Sequence, residues 1–157
     1  MKIQLIVIGK TNQPFVKQGL DVFCSRLEHY FPFELEIIPD IKNTKKLSVE
    51  QQKVKEGECI FQSLQYGDYI VLLDENGKEF TSVQFAEFIE KKSHTGLKRL
   101  VFVIGGAYGF SPAVYETAHE KVALSKMTFP HQLVRLVFLE QLYRAMTILN
   151  NEPYHHD

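Results

Sequence analysis

MKIQLIVIGKTNQPFVKQGLDVFCSRLEHYFPFELEII, residues 1–38, reads as strand, helix, strand, and that order decides the fold class. Ile3 to Ile8 is a continuous apolar run of strand length, closed by Gly9 and Lys10. Pro14 suits the first turn of a helix, whose leading N–H groups lack intrahelical partners, and the helix is expected over Phe15 to Leu27. Phe33 to Ile38 supplies the second strand. This is a βαβ opening.

The alternation continues outward from it. Asp40 to Leu47 is a polar, lysine-bearing loop, after which Ser48 with Gln51 forms a capping box for a helix to about Leu64. Tyr69 to Leu73 is the third strand, ending in Asp74-Glu75-Asn76-Gly77, a turn composition with Gly77 free to take positive φ. Thr81 with Gln84 caps a helix through about Lys91. Leu100 to Ile104 is the fourth strand, and the run Gly105-Gly106-Ala107-Tyr108-Gly109 follows it. Ser111 and Pro112 open a short helix to about His119. A fifth strand near Val122 to Leu124 precedes a long last helix, opened by Pro130 and running from His131 to Leu149. Regular β/α alternation predicts an α/β fold with a mainly parallel sheet and helices on both faces. No repeat or linker divides residues 1–157, so a single domain is expected.

Composition bounds the function classes. The chain has 157 residues, 45% of them hydrophobic, enough for one core. A net charge of −1 gives no global basic signature, so a nucleic-acid partner has to be held by a local patch. The densest basic cluster is Lys42, Lys45, Lys46, Lys53 and Lys55, which is either a phosphate-contacting patch or a solvated face. Cys24 and Cys59 form neither a metal-ligand spacing nor a disulfide framework, as expected of a cytoplasmic protein. The apolar part of the opening is about six residues, too short for a signal h-region or a membrane span. A soluble, cytoplasmic chain with no membrane and no DNA partner is expected.

Between His131 and Leu149 only Gln132, Arg135, Glu140, Gln141, Arg144 and Thr147 interrupt an apolar surface. A helix apolar all round must be buried on more than one side, and in so short a chain the second side is expected to meet another subunit. Three loops leave the carboxyl ends of strands with compositions suited to a ligand: Leu73-Asp74 with Gly77, Gly105 to Gly109, and Leu124 to Pro130. Gly106-x-x-Gly109 does not match the dinucleotide fingerprint and no GKS or GKT phosphate loop follows, which argues against both.

VFVIGGAYG (Val101–Gly109), LSKMTFPHQLVR (Leu124–Arg135), EQLYRA (Glu140–Ala145), PYHH (Pro153–His156) and the opening MKIQLIVIGK together resemble the bacterial ribosomal RNA large subunit methyltransferase H family. The resemblance runs from Met1 to the tail. It implies a SPOUT fold with a C-terminal trefoil knot, a feature that general topology rules count against. It also implies a homodimer that uses S-adenosyl-L-methionine to methylate N3 of a pseudouridine in helix 69 of 23S ribosomal RNA.

The resemblance places the cofactor against Leu73, Gly105, Leu124, Ser125, Lys126, Met127, Thr128 and Phe129. An adenine needs apolar faces and a few backbone hydrogen bonds, which these loops can offer, and a Cβ at Gly105 would intrude on it. For Met127 and Phe129 the alternative is ordinary core packing. Methyl transfer needs close in-line approach, and a weakly acidic imide needs a base or a stabilising cation nearby. The catalytic candidates are His131, Arg144, Tyr154 and His155. Tyr154 and His155 are expected to position the base and Arg144 to meet phosphate or the imide oxygens, while the base itself is unassigned. Alternatively His131 caps or packs, Arg135 and Arg144 lie in a dimer interface, and Glu140 pairs with Arg144 at i, i+4. The family often ends with Arg or Lys after its Tyr-His pair, whereas here His156 and Asp157 follow, which weakens the expected tail contact with RNA phosphate. Two competing readings are a non-catalytic homodimeric RNA-binding or ribosome-assembly module, binding RNA without the cofactor, and a small-molecule α/β enzyme with no need of ribosomal RNA.

Overall fold

The computed structural model describes residues 1–156. Five strands, β1 (Lys2–Ile8), β2 (Phe33–Ile38), β3 (Tyr69–Glu79), β4 (Arg99–Ile104) and β5 (Glu120–Ala123), form one parallel sheet in the order β2-β1-β4-β3-β5. The helices are α1 (Pro14–Leu27), α2 (Val49–Ser63), α3 (Ser82–Ser93), α4 (Pro112–Thr117) and α5 (Leu133–Leu149). Central strands of a parallel sheet are covered on both faces and so read as unbroken apolar runs, as β1 and β4 do.

The period-2 alternation sorts those runs into two cores. Leu5, Val7, Phe102 and Ile104 face one side with Leu20 of α1, Phe85 of α3 and Phe138 of α5. Ile6, Ile8, Val101 and Val103 face the other with Ile60 of α2 and Val114 of α4. The expected α/β class with helices on both faces is therefore observed. The rings of Phe102 and Phe138 sit 4.8 Å apart, and burying the latter contributes about 2–3 kcal/mol.

Both capping boxes form. Gln51 N–H donates to Ser48 Oγ at 3.1 Å and Ser48 N–H to Gln51 Oε1 at 2.9 Å, and Thr81 and Gln84 repeat the pattern. Ser111 caps α4, with Pro112 at its start.

Three expectations need correction. The Asp74–Gly77 segment is not a terminal turn: β3 continues through it to Glu79, with a register shift in which both Leu73 and Lys78 pair with Val122. Gly77 is absent from the positive-φ glycines; a Cβ there would lie 2.6 Å from the backbone nitrogen of Val122, so close strand approach is what requires glycine. The long helix starts at Leu133, beyond Pro130 and His131. Gln132 is tied instead to the entry of α1, its Oε1 accepting from the N–H of Asn12 at 2.8 Å and of Gln13 at 3.2 Å. Arg135 is not at a subunit surface. It is fully buried, donating from Nη1 to the carbonyl of Gly9 at 2.8 Å and to Thr11 Oγ1 at 2.9 Å, and from Nη2 to the carbonyl of Ile8 at 2.5 Å. Burial lowers its guanidinium pKa from the ordinary value, opposed by the charge of Asp40.

Candidate active site

A cleft of about 400 Å³ opens beyond the carboxyl ends of β4 and β5 and beside Leu73–Asn76 of β3, where the pairing of β3 with β5 shifts register. Small-molecule sites run from roughly 300 to 1,000 Å³, and open α/β sheets bind ligands at this end. Seven of the eight expected cofactor residues line it: Leu73, Gly105, Leu124, Ser125, Met127, Thr128 and Phe129. Lys126 does not; its side chain stands in solvent with Nζ 3.8 Å from Glu79 Oε1. Met127 is 77% exposed, which removes the core-packing alternative for it. Its N–H donates to Ser125 Oγ at 3.0 Å and so folds the Leu124–Pro130 loop locally.

The glycine run makes the opposite wall. Gly109 takes φ +82°, where a Cβ is penalised, and its N–H returns to the carbonyl of Gly106 at 3.2 Å. A Cβ on Gly105 would lie 3.0 Å from the Phe110 ring and 3.3 Å from the carbonyl oxygen of Gly109. Its first effect would be to displace that ring and turn, before any bound cofactor.

Asp74 belongs to a loop the sequence marks for a ligand, but nothing there marks Glu75, Asn76 or Tyr115, which complete an acidic rim with it. Asp74, Glu75, Asn76 and Tyr115 also line the cleft. Asp74 Oδ1 accepts from Asn76 N–H at 2.8 Å, and the Tyr115 hydroxyl donates to Asp74 Oδ2. Burial pushes the Tyr115 phenol up to about 12, helped by the bond to Asp74 and the charges of Asp74 and Glu75, so it stays a neutral donor at ordinary pH. The available signal was two adjacent carboxylates, Asp74 and Glu75, masked by their turn-like composition. Apolar walls, loop backbone and this negative rim fit an adenosine bearing a cationic sulfonium and ammonium. The described residues contain no cluster of His, Cys, Asp or Glu able to hold a metal ion.

Arg144, Tyr154 and His155 converge elsewhere, on the far half of α5. Arg144 donates from Nε at 3.1 Å and from Nη2 at 2.5 Å to Glu140 Oε1, the expected i, i+4 pair. Its Nη1 lies 3.2 Å from His155 Nδ1, and its guanidinium 4.8 Å from the centre of the Tyr154 ring. The Tyr154 hydroxyl donates to the same Glu140 oxygen at 3.0 Å, and burial followed by the Glu140 charge raises its phenol pKa. The tail returns here because Asn151 adopts φ +54° and Glu152 is held by the hydroxyl of Tyr30 at 2.8 Å. His131 stands apart, in the wall of the cleft. At 1.5 Å per residue, the helix carries Arg144 about 16 Å beyond Leu133. The four catalytic candidates thus form two groups within one chain. Asp157 lies outside the described residues.

In the basic cluster Lys42, Lys45, Lys46 and Lys55 are exposed, while Lys53 lies 3.3 Å from Glu50 and is partly buried. No helix among the described residues is long and apolar enough to cross a membrane.

Comparison with known proteins places this geometry among relatives. The family model described as predicted SPOUT methyltransferase matches residues 1–155. Proteins named ribosomal RNA large subunit methyltransferase H are similar along the full chain. That of Parabacteroides distasonis is 66% identical over 157 residues, covering 100% of both chains, and that of Phocaeicola vulgatus is 58% identical over the same span. The protein from Christiangramia forsetii is 59% identical over 156 residues, 99% of each chain.

Proposed function

The chain belongs to the SPOUT methyltransferase family, and from that premise we propose that it transfers a methyl group from S-adenosyl-L-methionine to N3 of a pseudouridine in helix 69 of 23S ribosomal RNA. The observation that carries this is the meeting of Leu73–Asn76 of β3 with the loops after β4 and β5 in one cleft, lined by seven of the eight residues expected to hold the cofactor.

Bound there, S-adenosyl-L-methionine supplies an electrophilic methyl group on a sulfonium. Leu73, Leu124 and Phe129 offer apolar surface to its adenine, the Gly105–Gly109 turn offers backbone, and Asp74 and Glu75 face its positive charge. His131, in the same wall, is within reach of a reacting nucleotide as a hydrogen-bonding group. An imide that has lost its N3 proton is stabilised by a fixed cation, which is the role of Arg144, with Tyr154 and His155 orienting the base.

A single chain separates these two groups by a length of helix, so the functional unit is a homodimer in which the tail of one subunit serves the cleft of the other. Phe15 and Val22, seven residues apart on α1, leave apolar surface in solvent, as such a contact requires. The C-terminal trefoil knot, in the segment from β4 to α5, and a cytoplasmic location belong to the same proposal. RNA phosphates meet Lys42, Lys45, Lys46 and Lys55.

The test is methyl transfer from labelled S-adenosyl-L-methionine to ribosomes, large subunits and free ribosomal RNA lacking the modification, with the product located by mass spectrometry. Label at N3 of a helix 69 pseudouridine is expected. Cofactor binding without label on any of the three points to another RNA, and RNA binding without cofactor binding to a non-catalytic module.

A further inference from the structure

Glu56, in the middle of α2, is 4% exposed, and its Oε1 has no hydrogen-bond partner among the described residues. A buried carboxylate oxygen left without a donor costs stability, so a donor brought to it is bound favourably. Its position says which element can supply that donor. A Cβ on Gly106 would lie 2.6 Å from Glu56 Oε2 and 2.7 Å from Oε1, so the carboxylate lies flat against the backbone of the cleft's glycine turn, on the side where that residue has no side chain.

The next residue of α2 repeats the contact one step along. A Cβ on Gly57 would lie 2.9 Å from Val114 and 3.0 Å from Ser111 Oγ, the cap of the helix that carries Tyr115 into the cleft. The Glu56-Gly57 step therefore supports both ends of the turn from behind. Within the turn, Gly109 N–H is bonded to the carbonyl of Gly106, while the N–H groups of Ala107 and Tyr108 make no backbone bond among the described residues. An acceptor without a donor thus faces a cofactor-lining turn that has donors to give.

We propose that Glu56 is a positioning residue for the cofactor turn: when the cleft is filled, its free oxygen accepts a backbone N–H from the Gly106–Tyr108 turn and fixes which way those peptides face. The proposal rests on the cofactor reading of the cleft. Burial pushes the Glu56 carboxyl up from the ordinary carboxylate range; the Gln52 side chain opposes this and the charge of Asp40 adds to it. An arriving N–H donor favours the ionised form and reverses that bias.

The experiment measures S-adenosyl-L-methionine affinity by titration calorimetry and thermal midpoint for the full chain, Glu56→Leu and Glu56→Gln. Leucine cannot accept a hydrogen bond, so Glu56→Leu is expected to lose at least tenfold in affinity while its thermal midpoint stays level or rises. Glutamine keeps an acceptor oxygen, so Glu56→Gln is expected within about threefold of the parent. Parental affinity in Glu56→Leu, an equal loss in Glu56→Gln, or a loss of affinity that tracks a loss of stability overturns the proposal. If leucine prevents folding, Glu56→Ala takes its place with the same expectation for affinity. No binding by the parent chain would instead overturn the cofactor reading itself.

Discussion

The cleft and the tail cluster handle polar groups in opposite ways. The cleft is mostly backbone: glycines and short turns hold it open, Met127 stands in solvent with its N–H on Ser125 Oγ, and Asp74 is held by the side chain of Tyr115. The cluster is all side chains, and it is saturated, since one oxygen of Glu140 accepts from Arg144 Nε, from Arg144 Nη2 and from the Tyr154 hydroxyl. A site shaped to receive keeps unused hydrogen-bonding capacity, whereas one shaped to act on charge holds its cation in a fixed geometry until a substrate competes for it. Under the proposed function, the difference assigns cofactor affinity to the cleft and turnover to the cluster.

The sharpest break of that division is removal of Pro153 to Asp157. Turnover should fall on the order of a thousandfold, as for loss of fixed transition-state contacts, while cofactor affinity changes less than about twofold. Equal turnover by the truncated chain would deny the cluster any catalytic part. Gly105→Val attacks the other region and should weaken cofactor binding by about a hundredfold or more, because its branches drive into Phe110 and the Gly109 carbonyl; chromatography should still find the parental oligomer. Unchanged affinity in titration takes Gly105 out of the site.

Glu140→Gln sharpens the comparison at smaller scale. An amide still accepts from Tyr154 but no longer pairs with a charged Arg144, so kcat should drop about tenfold with KM nearly constant. A change in KM alone would move the cluster into substrate or cofactor binding. Smallest is Tyr115→Phe, which frees Asp74 from one hydrogen bond and should weaken cofactor binding by about fivefold, the equivalent of about 1 kcal/mol. Parental affinity there would show that the acidic rim is held without the phenol.

Much of this was legible in the residues because local chemistry and tertiary structure agreed. Ser48 with Gln51 and Thr81 with Gln84 cap their helices as their spacing requires, and the apolar runs of β1 and β4 are the buried central strands. The misreadings fall where long-range pairing overrides local signals. Asp74-Glu75-Asn76-Gly77 has turn composition, yet β5 captures the residues after it and draws β3 onward. Pro130 is suited to start a helix, but the hold of Gln132 on the entry of α1 sets the start at Leu133. Arg135 looked like any cation on a helix surface, since nothing local says that its partners are the carbonyls of Ile8 and Gly9. Glu56 was equally unmarked within the Lys- and Glu-rich α2, and only its burial beneath Gly106 distinguishes it.

Arg135 also sets an order in time. The carbonyls it satisfies lie at the end of β1, and the arginine itself follows 126 residues after Gly9. Until α5 emerges, β1, β3 and β4 lack the cover that Phe138, Leu139 and Leu142 provide on one face of the sheet. Contacts so distant in sequence delay folding and leave apolar surface open to association meanwhile. A growing chain of this protein therefore lacks the ties of Arg135 to Ile8 and Gly9 until α5 is made, and a stop before α5 leaves the face that α1 and α3 also cover without Phe138, Leu139 and Leu142.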